Sequence, residues 1–297
     1  MKKKVLITGA NGMIGTKLVR KILSDTVYQI VAVVSSKKKF DDLIERLSIT
    51  DLNRIDYINT DKLIESNIKD IYAAIHLAFS RRNRPVKDIA LSIDNSAKVF
   101  KKLAESNIQR VINISSQGVY GNTDKIRIEK MLPAPMTTYT MAKYATEKIF
   151  ENCFENTGVE FTSLRLDLVI QSQNLVPALC KQAKEGKINL KGGEQRFSFI
   201  DVDDVVRAIV FMLNSSKEWE NVYNVGWNKR RYTLTEVAGI VSDVAVKYGY
   251  KRPEIILDRQ DIELWSGMNS QKFSALTGWK PEIDIYEMIK RVFAENN

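Results

Sequence analysis

The chain has 297 residues, 44% of them hydrophobic and 27% charged, with a formal net charge of +9. This composition excludes a disordered chain and fits one large domain with a smaller C-terminal lobe. No apolar run is long enough to span a bilayer and the N-terminus has no leader pattern, so neither a membrane partner nor export is expected, and the cytoplasm is the expected compartment.

The first apolar run, VLIT at 5–8, leads into glycines at 9, 12 and 15 and then a helical stripe of Ile14, Leu18 and Ile22. Further short apolar runs follow: IVAVV at 30–34, IDYI at 55–58, YAAIHLA at 72–78, VINIS at 111–115 and FTSLRL at 161–166. A second helical stripe, Ile89, Ile93, Ala97, Phe100 and Ala104, lies between the fourth and fifth runs. Buried parallel strands alternating with helices read this way, so the fold class is α/β: a doubly wound parallel sheet of the Rossmann type. After about residue 167 the alternation weakens. The expected organisation is a dinucleotide-binding domain at 1–167 and, at 168–297, a smaller α/β substrate lobe with some segments returning to the core.

The positive charge falls in short separate clusters, among them Lys2–Lys4, Lys37–Lys39, Arg81–Arg84 and Lys229–Arg231. No recognition helix or stacking aromatics accompany them, so nucleic acid is not an expected partner. One histidine and two cysteines, Cys153 and Cys180, cannot assemble a metal-ligand set, so no metal is expected and both thiols read as buried and reduced.

Between a strand and a helix, each glycine of VLITGANGMIG has a physical use. Gly9 permits a tight turn, Gly12 lets the backbone approach a diphosphate, and Gly15 lets helix and strand pack closely, while the helix N-terminus offers N–H groups to an anion. TGANGMIG resembles the TGxxGxxG fingerprint of the extended short-chain dehydrogenases/reductases, the NAD-dependent epimerase/dehydratase family. That resemblance implies that Gly9, Asn11, Gly12, Met13 and Ile14 line a cofactor diphosphate. The second strand ends in SSKKK with no acid to accept from both ribose hydroxyls of NAD. Ser35 and Ser36 can donate to a 2′-phosphate and Lys37 can neutralise it, so NADP is the expected cofactor, with NAD the alternative. By resemblance Asp61 lies near the adenine; otherwise it caps a helix starting at Lys62.

Tyr139 and Lys143 are four residues apart and share a face if MTTYTMAKYATEKIF is helical. A phenol titrates near pH 10, and an ammonium one turn away, joined by an oxidised nicotinamide, would favour the phenolate. The segment SSQGVYG resembles the family's SSxxVYG, and counting back four from Tyr120 gives Ser116 as the hydroxyl that completes a catalytic triad with Tyr139 and Lys143. Ser116 and Tyr139 would then touch the substrate, and Lys143 would also hold the nicotinamide ribose. HLAF at 76–79 resembles HLAA, placing Leu77 and Ala78 beside the cofactor and His76 in the packing beneath it. LRLDLV at 164–169, GEQRFSFIDVDDVVRAI at 193–209, NVYNVG at 221–226 and TGWKP at 277–281 extend the resemblance over nearly the whole chain.

Some positions depart from the pattern. LRLDLVIQS lacks the usual VYGP ending, and Ser92 stands where the family has an asparagine supporting a proton-relay water. Gln117 and Gly118 replace the Asp–Glu pair of the dehydratases, which argues against a 4,6-dehydratase. The resemblance therefore implies oxidation or reduction of one sugar carbinol, by a 4-epimerase or 4-ketoreductase of a nucleotide sugar, with Tyr139 as acid/base. Arg196 and Arg259 are the expected diphosphate ligands, a planar guanidinium matching two oxygens at once; a surface salt bridge to Asp201, Asp203 or Asp204 is the alternative. Two other functions stay open: a reductase of a non-nucleotide carbonyl, and a catalytically silent NADP-sensing regulator. A homodimer through helices near 86–106 and 140–157 is a further expectation from the resemblance.

Overall fold

The computed structural model describes residues 3–66, 68, 70–172 and 174–295; Lys2 of the N-terminal cluster lies outside the described residues. Strands β1 (Lys4–Thr8), β2 (Gln29–Val34), β3 (Ile55–Asn59), β4 (Ile71–His76), β5 (Arg110–Ser116) and β6 (Glu160–Leu166) alternate with helices α1 (Met13–Asp25), α2 (Lys37–Arg46), α3 (Val86–Ala104) and α4 (Thr138–Phe154). The chain continues through β7 (Leu168–Val169), α5 (Leu175–Lys184), β8 (Lys187–Lys191), β9 (Arg196–Phe197), β10 (Phe199–Ile200), α6 (Val202–Asn214) and β11 (Val222–Val225). It ends with β12 (Tyr232–Thr233), α7 (Leu234–Lys247), β13 (Glu254–Asp258), α8 (Gln271–Thr277) and α9 (Ile285–Glu295).

Seven of these strands form one parallel sheet in the order β11-β6-β5-β4-β1-β2-β3. Its interior strands carry residues such as Leu6, Ile7, Ile30, Ala32, Ile75 and Ile112, which are buried on both faces. Burying an aliphatic side chain of this kind contributes about 1.5–3 kcal/mol relative to exposure. One face is covered by α1, α2 and α6, with Leu18 and Ile22 of α1 in the same cluster as Val205 and Ile209 of α6. The other is covered by α3 and α4, where Phe100 meets Phe150 and Phe154 edge to face and those two tilt against each other.

Strand order reverses between β1 and β4, so the crevice beyond their carboxyl ends is where an open α/β sheet accepts ligands. A separate apolar cluster joins α5, α7 and α9 over β8 and β9. There the short strands pair as β8 with β13, β9 with β12 and β7 with β10.

The segment NVYNVG returns to the sheet as an edge strand, β11, in register with Ser163–Leu166 of β6. One feature differs from the sequence reading. Cys153 on α4 is only half-buried, at the margin of the phenylalanine cluster it packs against; Cys180 is buried. Among the described residues no helix is long and apolar enough to cross a membrane.

Candidate active site

The glycine loop does what its spacing requires. Gly9 has φ +68, and a Cβ there would stand 3.0 Å from the Ala78 amide nitrogen, so the β1 and β4 exits touch only because residue 9 has no side chain. The Leu77 amide donates to the Thr8 carbonyl at 3.3 Å, closing the same contact. A Cβ on Gly15 would lie 2.2 Å from the Gly9 carbonyl oxygen, so helix α1 could not start at this depth with any other residue.

Gly12 is exposed at the N-cap of α1 and gives the helix no side-chain cap. The first amides of α1, at Met13 and Ile14, therefore open on the crevice with the positive end of the helix dipole behind them. Asn11 reaches the end of β2 and donates to the Ser35 hydroxyl at 3.2 Å. A dinucleotide fits this cradle: its diphosphate would lie over Gly12, and its adenosine half would run toward Ser35.

At the end of β2 the groups expected to bind a 2′-phosphate already have partners. The Ser36 hydroxyl caps α2 by accepting from the Lys39 amide, and Lys37 Nζ is 2.6 Å from Asp41 Oδ2 in an exposed pair. Asp61 sits in a 3-10 turn beyond the edge strand β3, where Asn59 is the capping residue and accepts from the Asp61 amide; no helix starts at Lys62 for Asp61 to cap.

Ser116 ends β5, and its hydroxyl accepts from the Gly118 amide at 3.2 Å, fixing a 3-10 turn over 117–120. Helix α4 starts at a capping box between Thr137 and Thr140. The two segments interlock at Gly118: a Cβ there would be 2.6 Å from Thr140 Cγ2 and 3.5 Å from Ser116 Oγ. The first turn of α4, with Tyr139, is thereby held against the strand end that carries Ser116. One turn further on, buried Lys143 donates to the Ile114 carbonyl at 2.8 Å, two residues before Ser116.

The electrostatics differ from expectation. Burial pushes the Tyr139 hydroxyl up to about 12, and the cation that opposes this is Arg82, on the loop after β4, not Lys143. Burial also pulls the Lys143 ammonium down to about 7, with the Glu147 carboxylate acting the other way. Glu147 is itself held by Arg165 through a buried two-pronged ion pair at 2.7–3.2 Å. Without a bound cation the site thus keeps a neutral phenol.

Sequence reasoning overlooked Phe79, although it was visible as the last letter of HLAF. Its ring centroid lies 4.0 Å from Lys143 Nζ and 6.0 Å from the Tyr139 ring. His76 is buried, bonded to Thr8 Oγ1 and Ser96 Oγ at 2.9 Å each, and lowered by burial to about 3, so it packs as a neutral ring. Ser92 bonds Ser80 and the Asp88 carbonyl, tying the loop after β4 to α3.

Farther out, Arg196 is exposed on β9 while Phe197 turns inward, and Arg259 is exposed just beyond β13. The three acids considered as salt-bridge partners for Arg196 are engaged elsewhere: Asp201 and Asp203 with Arg291, Asp203 also with Lys17, and Asp204 with Arg207. Among the described residues no group of three or more His, Cys, Asp or Glu side chains could hold a metal ion.

A doubly wound sheet with a glycine cradle at the β1/α1 turn and a Ser–Tyr–Lys set between β5 and α4 defines an enzyme of the extended short-chain dehydrogenase type. The chain belongs to the NAD dependent epimerase/dehydratase family, whose model matches residues 5–226. It is 26% identical to a putative UDP-glucose 4-epimerase of Methanocaldococcus jannaschii over 97% of this chain and 96% of that one. It is also 26% identical to a dTDP-glucose 4,6-dehydratase of Salmonella typhimurium, covering 94% and 88%. The fold is shared with the UDP-glucuronic acid 4-epimerase of Bacillus cereus crystallised with NAD, at a TM-score of 0.82 and 20% identity over 99% and 98% of the two chains.

Proposed function

We propose that the protein oxidises or reduces a single carbinol carbon of a nucleotide sugar, as a 4-epimerase or 4-ketoreductase, with Tyr139 exchanging the carbinol proton. The observation that carries this reading is the lock between β5 and α4: Lys143 on the Ile114 carbonyl and Thr140 against Gly118 hold Tyr139 beside the Ser116 strand end. Bound in the Gly9–Gly15 cradle, a nicotinamide cofactor supplies the acceptor or donor of hydride.

The protein's own groups divide the remaining tasks. The Ser116 hydroxyl, half-buried at the strand end, holds the substrate oxygen as either alcohol or ketone. The Tyr139 hydroxyl takes or returns the proton of that oxygen. Lys143 fixes the ribose side of the site and adds positive charge when protonated. Gln117 and Gly118 carry no transferable proton, which favours carbinol chemistry over dehydration.

Arg196 and Arg259, both exposed on the C-terminal lobe, are the proposed ligands of the substrate diphosphate. NADP is the proposed cofactor because residues 35–37 offer two hydroxyls and an ammonium and no acid. NAD, bound in the B. cereus epimerase structure, is the alternative.

The test is conversion of UDP-glucose, UDP-glucuronic acid and dTDP-glucose, followed by chromatography of the sugars and by absorbance of the reduced cofactor. Wild type is expected to convert at least one, and Tyr139→Phe to lower kcat by about a hundredfold or more. Undiminished turnover by Tyr139→Phe would defeat the assignment.

A further inference from the structure

The loop after β4 brings an uncommitted cation to the mouth of the site, and the loop itself is fixed at both ends. At its start, Phe79 packs on the Tyr139 ring and over Lys143. The Ser80 amide donates to Ser92 Oγ and the Ser80 hydroxyl to the Asp88 carbonyl, each at 3.0 Å. Farther on, the Arg84 amide donates to the Arg81 carbonyl at 3.0 Å, closing a turn with Arg82 at its apex, and Arg84 Nε pairs with Asp88 at 3.3 Å.

Arg82 has no such partner. Its side chain is exposed and makes no hydrogen bond, ion pair or ring contact among the described residues. Asp88, the acid of this stretch, is taken by Arg84. The charge of Arg82 nevertheless reaches the Tyr139 hydroxyl, as its place three residues beyond Phe79 requires. Lys143, the other cation there, is buried and committed to the Ile114 carbonyl, and Glu147 one turn beyond it is held by Arg165. The mouth thus offers a ligand an exposed guanidinium that no acid of the described residues neutralises.

Such a group is matched by an anion at the reacting end of the ligand. The substrate diphosphate falls to Arg196 and Arg259 in the reading above, and the cofactor diphosphate to the glycine cradle, so the anion near Tyr139 belongs to the sugar ring. When Tyr139 meets the hydroxyl on C4 of a hexose, the neighbouring ring carbon, C5, carries the substituent that in a uronic acid is a carboxylate.

Building on the nucleotide-sugar reading, we propose that Arg82 binds a carboxylate on C5 of the sugar ring, so that the preferred substrate is a nucleotide-linked uronic acid. The planar guanidinium meets both carboxylate oxygens at once, and the Ser80 and Arg84 contacts hold the loop that presents it. A neutral hexose forgoes this contact, which makes Arg82 a specificity-determining residue.

The cofactor-loaded wild type and Arg82→Gln are compared with UDP-glucuronic acid and UDP-glucose. Wild type is expected to favour UDP-glucuronic acid in kcat/KM by about tenfold or more, and Arg82→Gln to lose that preference mainly through a raised KM for the acid. Any effect of Arg82 on the ionisation of Tyr139 touches both sugars alike and cancels in the ratio. In the Tyr139→Phe background, which has no phenol to ionise, titration of the two nucleotide sugars is expected to show the same loss of preference in Kd when Arg82→Gln is added. A wild type that favours UDP-glucose, or a preference that Arg82→Gln leaves intact, overturns the inference alone. So does a loss of NADPH and NADH affinity with the sugar preference unchanged, which would assign the guanidinium to the cofactor. A wild type that neither binds nor converts either sugar overturns the nucleotide-sugar reading and this inference with it.

Discussion

The Phe79 ring stands over the Lys143 ammonium at 4.0 Å and meets the Tyr139 ring edge-on at 6.0 Å, so one side chain touches two members of the proposed triad. A cation over an aromatic face is stabilised by about 0.5–2 kcal/mol, which opposes the burial that pulls Lys143 toward neutrality. Phe79→Leu keeps bulk and removes the π face. The basic limb of the kcat/KM profile that reports Lys143 is expected to move to lower pH by about one unit or less. An unmoved limb would show that the ring only fills space.

Lys143 also shapes stability against pH. Its folded value near 7 lies below the unfolded value near 10.4, so between those limits the unfolded chain binds more protons and stability rises with pH. The slope is expected to reach at most about 1.4 kcal/mol per pH unit. Tyr139 works in the opposite sense at higher pH: its folded value near 12 exceeds the unfolded value near 10, so stability falls across that range. Urea melts of wild type and Lys143→Met from pH 7 to 10 should show the rise in wild type and its loss in the variant.

Breaking the buried Glu147–Arg165 pair should be severe. Glu147→Ala leaves a guanidinium buried without its carboxylate, at an expected cost of about 3–5 kcal/mol. It also removes the charge that holds the Lys143 value up. Chemical denaturation measures the first effect, and the pH profile of activity the second.

Cofactor choice is tested at Lys37. Lys37→Glu places a carboxylate where a 2′-phosphate would lie and offers an acceptor to ribose hydroxyls instead. Wild type is expected to bind NADPH more tightly than NADH, and the variant to reverse the order, each preference on the order of tenfold. Fluorescence titration of both nucleotides decides it; equal affinities in wild type would remove NADP from the proposal.

In the cradle, Gly15→Ala should destabilise the fold by about 1–3 kcal/mol or weaken dinucleotide binding, because its Cβ would meet backbone atoms of Gly9 and Ala10 that cannot rotate away. Thermal melts with and without NADPH separate the two effects.

The six apolar runs read from the sequence correspond to β1 to β6; for the interior strands this is because burial on both faces needs continuous apolar residues, a signal carried locally, whereas the edge strand β3 is mostly half-buried or exposed. The strand β11 was less legible: with four residues, its identity depends on pairing with β6, which no local pattern encodes. At the site, glycine spacing conveyed backbone geometry well, since the need for a missing Cβ is a property of the residue itself. Electrostatics were not legible. The spacing of Tyr139 and Lys143 promised a lowered phenol, whereas desolvation of the half-buried Tyr139 hydroxyl raises it.

The bond from Lys143 to the Ile114 carbonyl has a consequence for reading relatives of this chain. The lysine is anchored to the backbone of β5 before any ligand arrives, so it contributes to the architecture whatever its proposed part in the chemistry. A descendant that abandoned turnover could discard the Tyr139 hydroxyl at little structural loss, whereas discarding the amine would remove one of the bonds that fasten α4 to β5. In sequences of this kind the tyrosine is therefore the better witness to living chemistry, and the lysine chiefly attests that the helix is still in place.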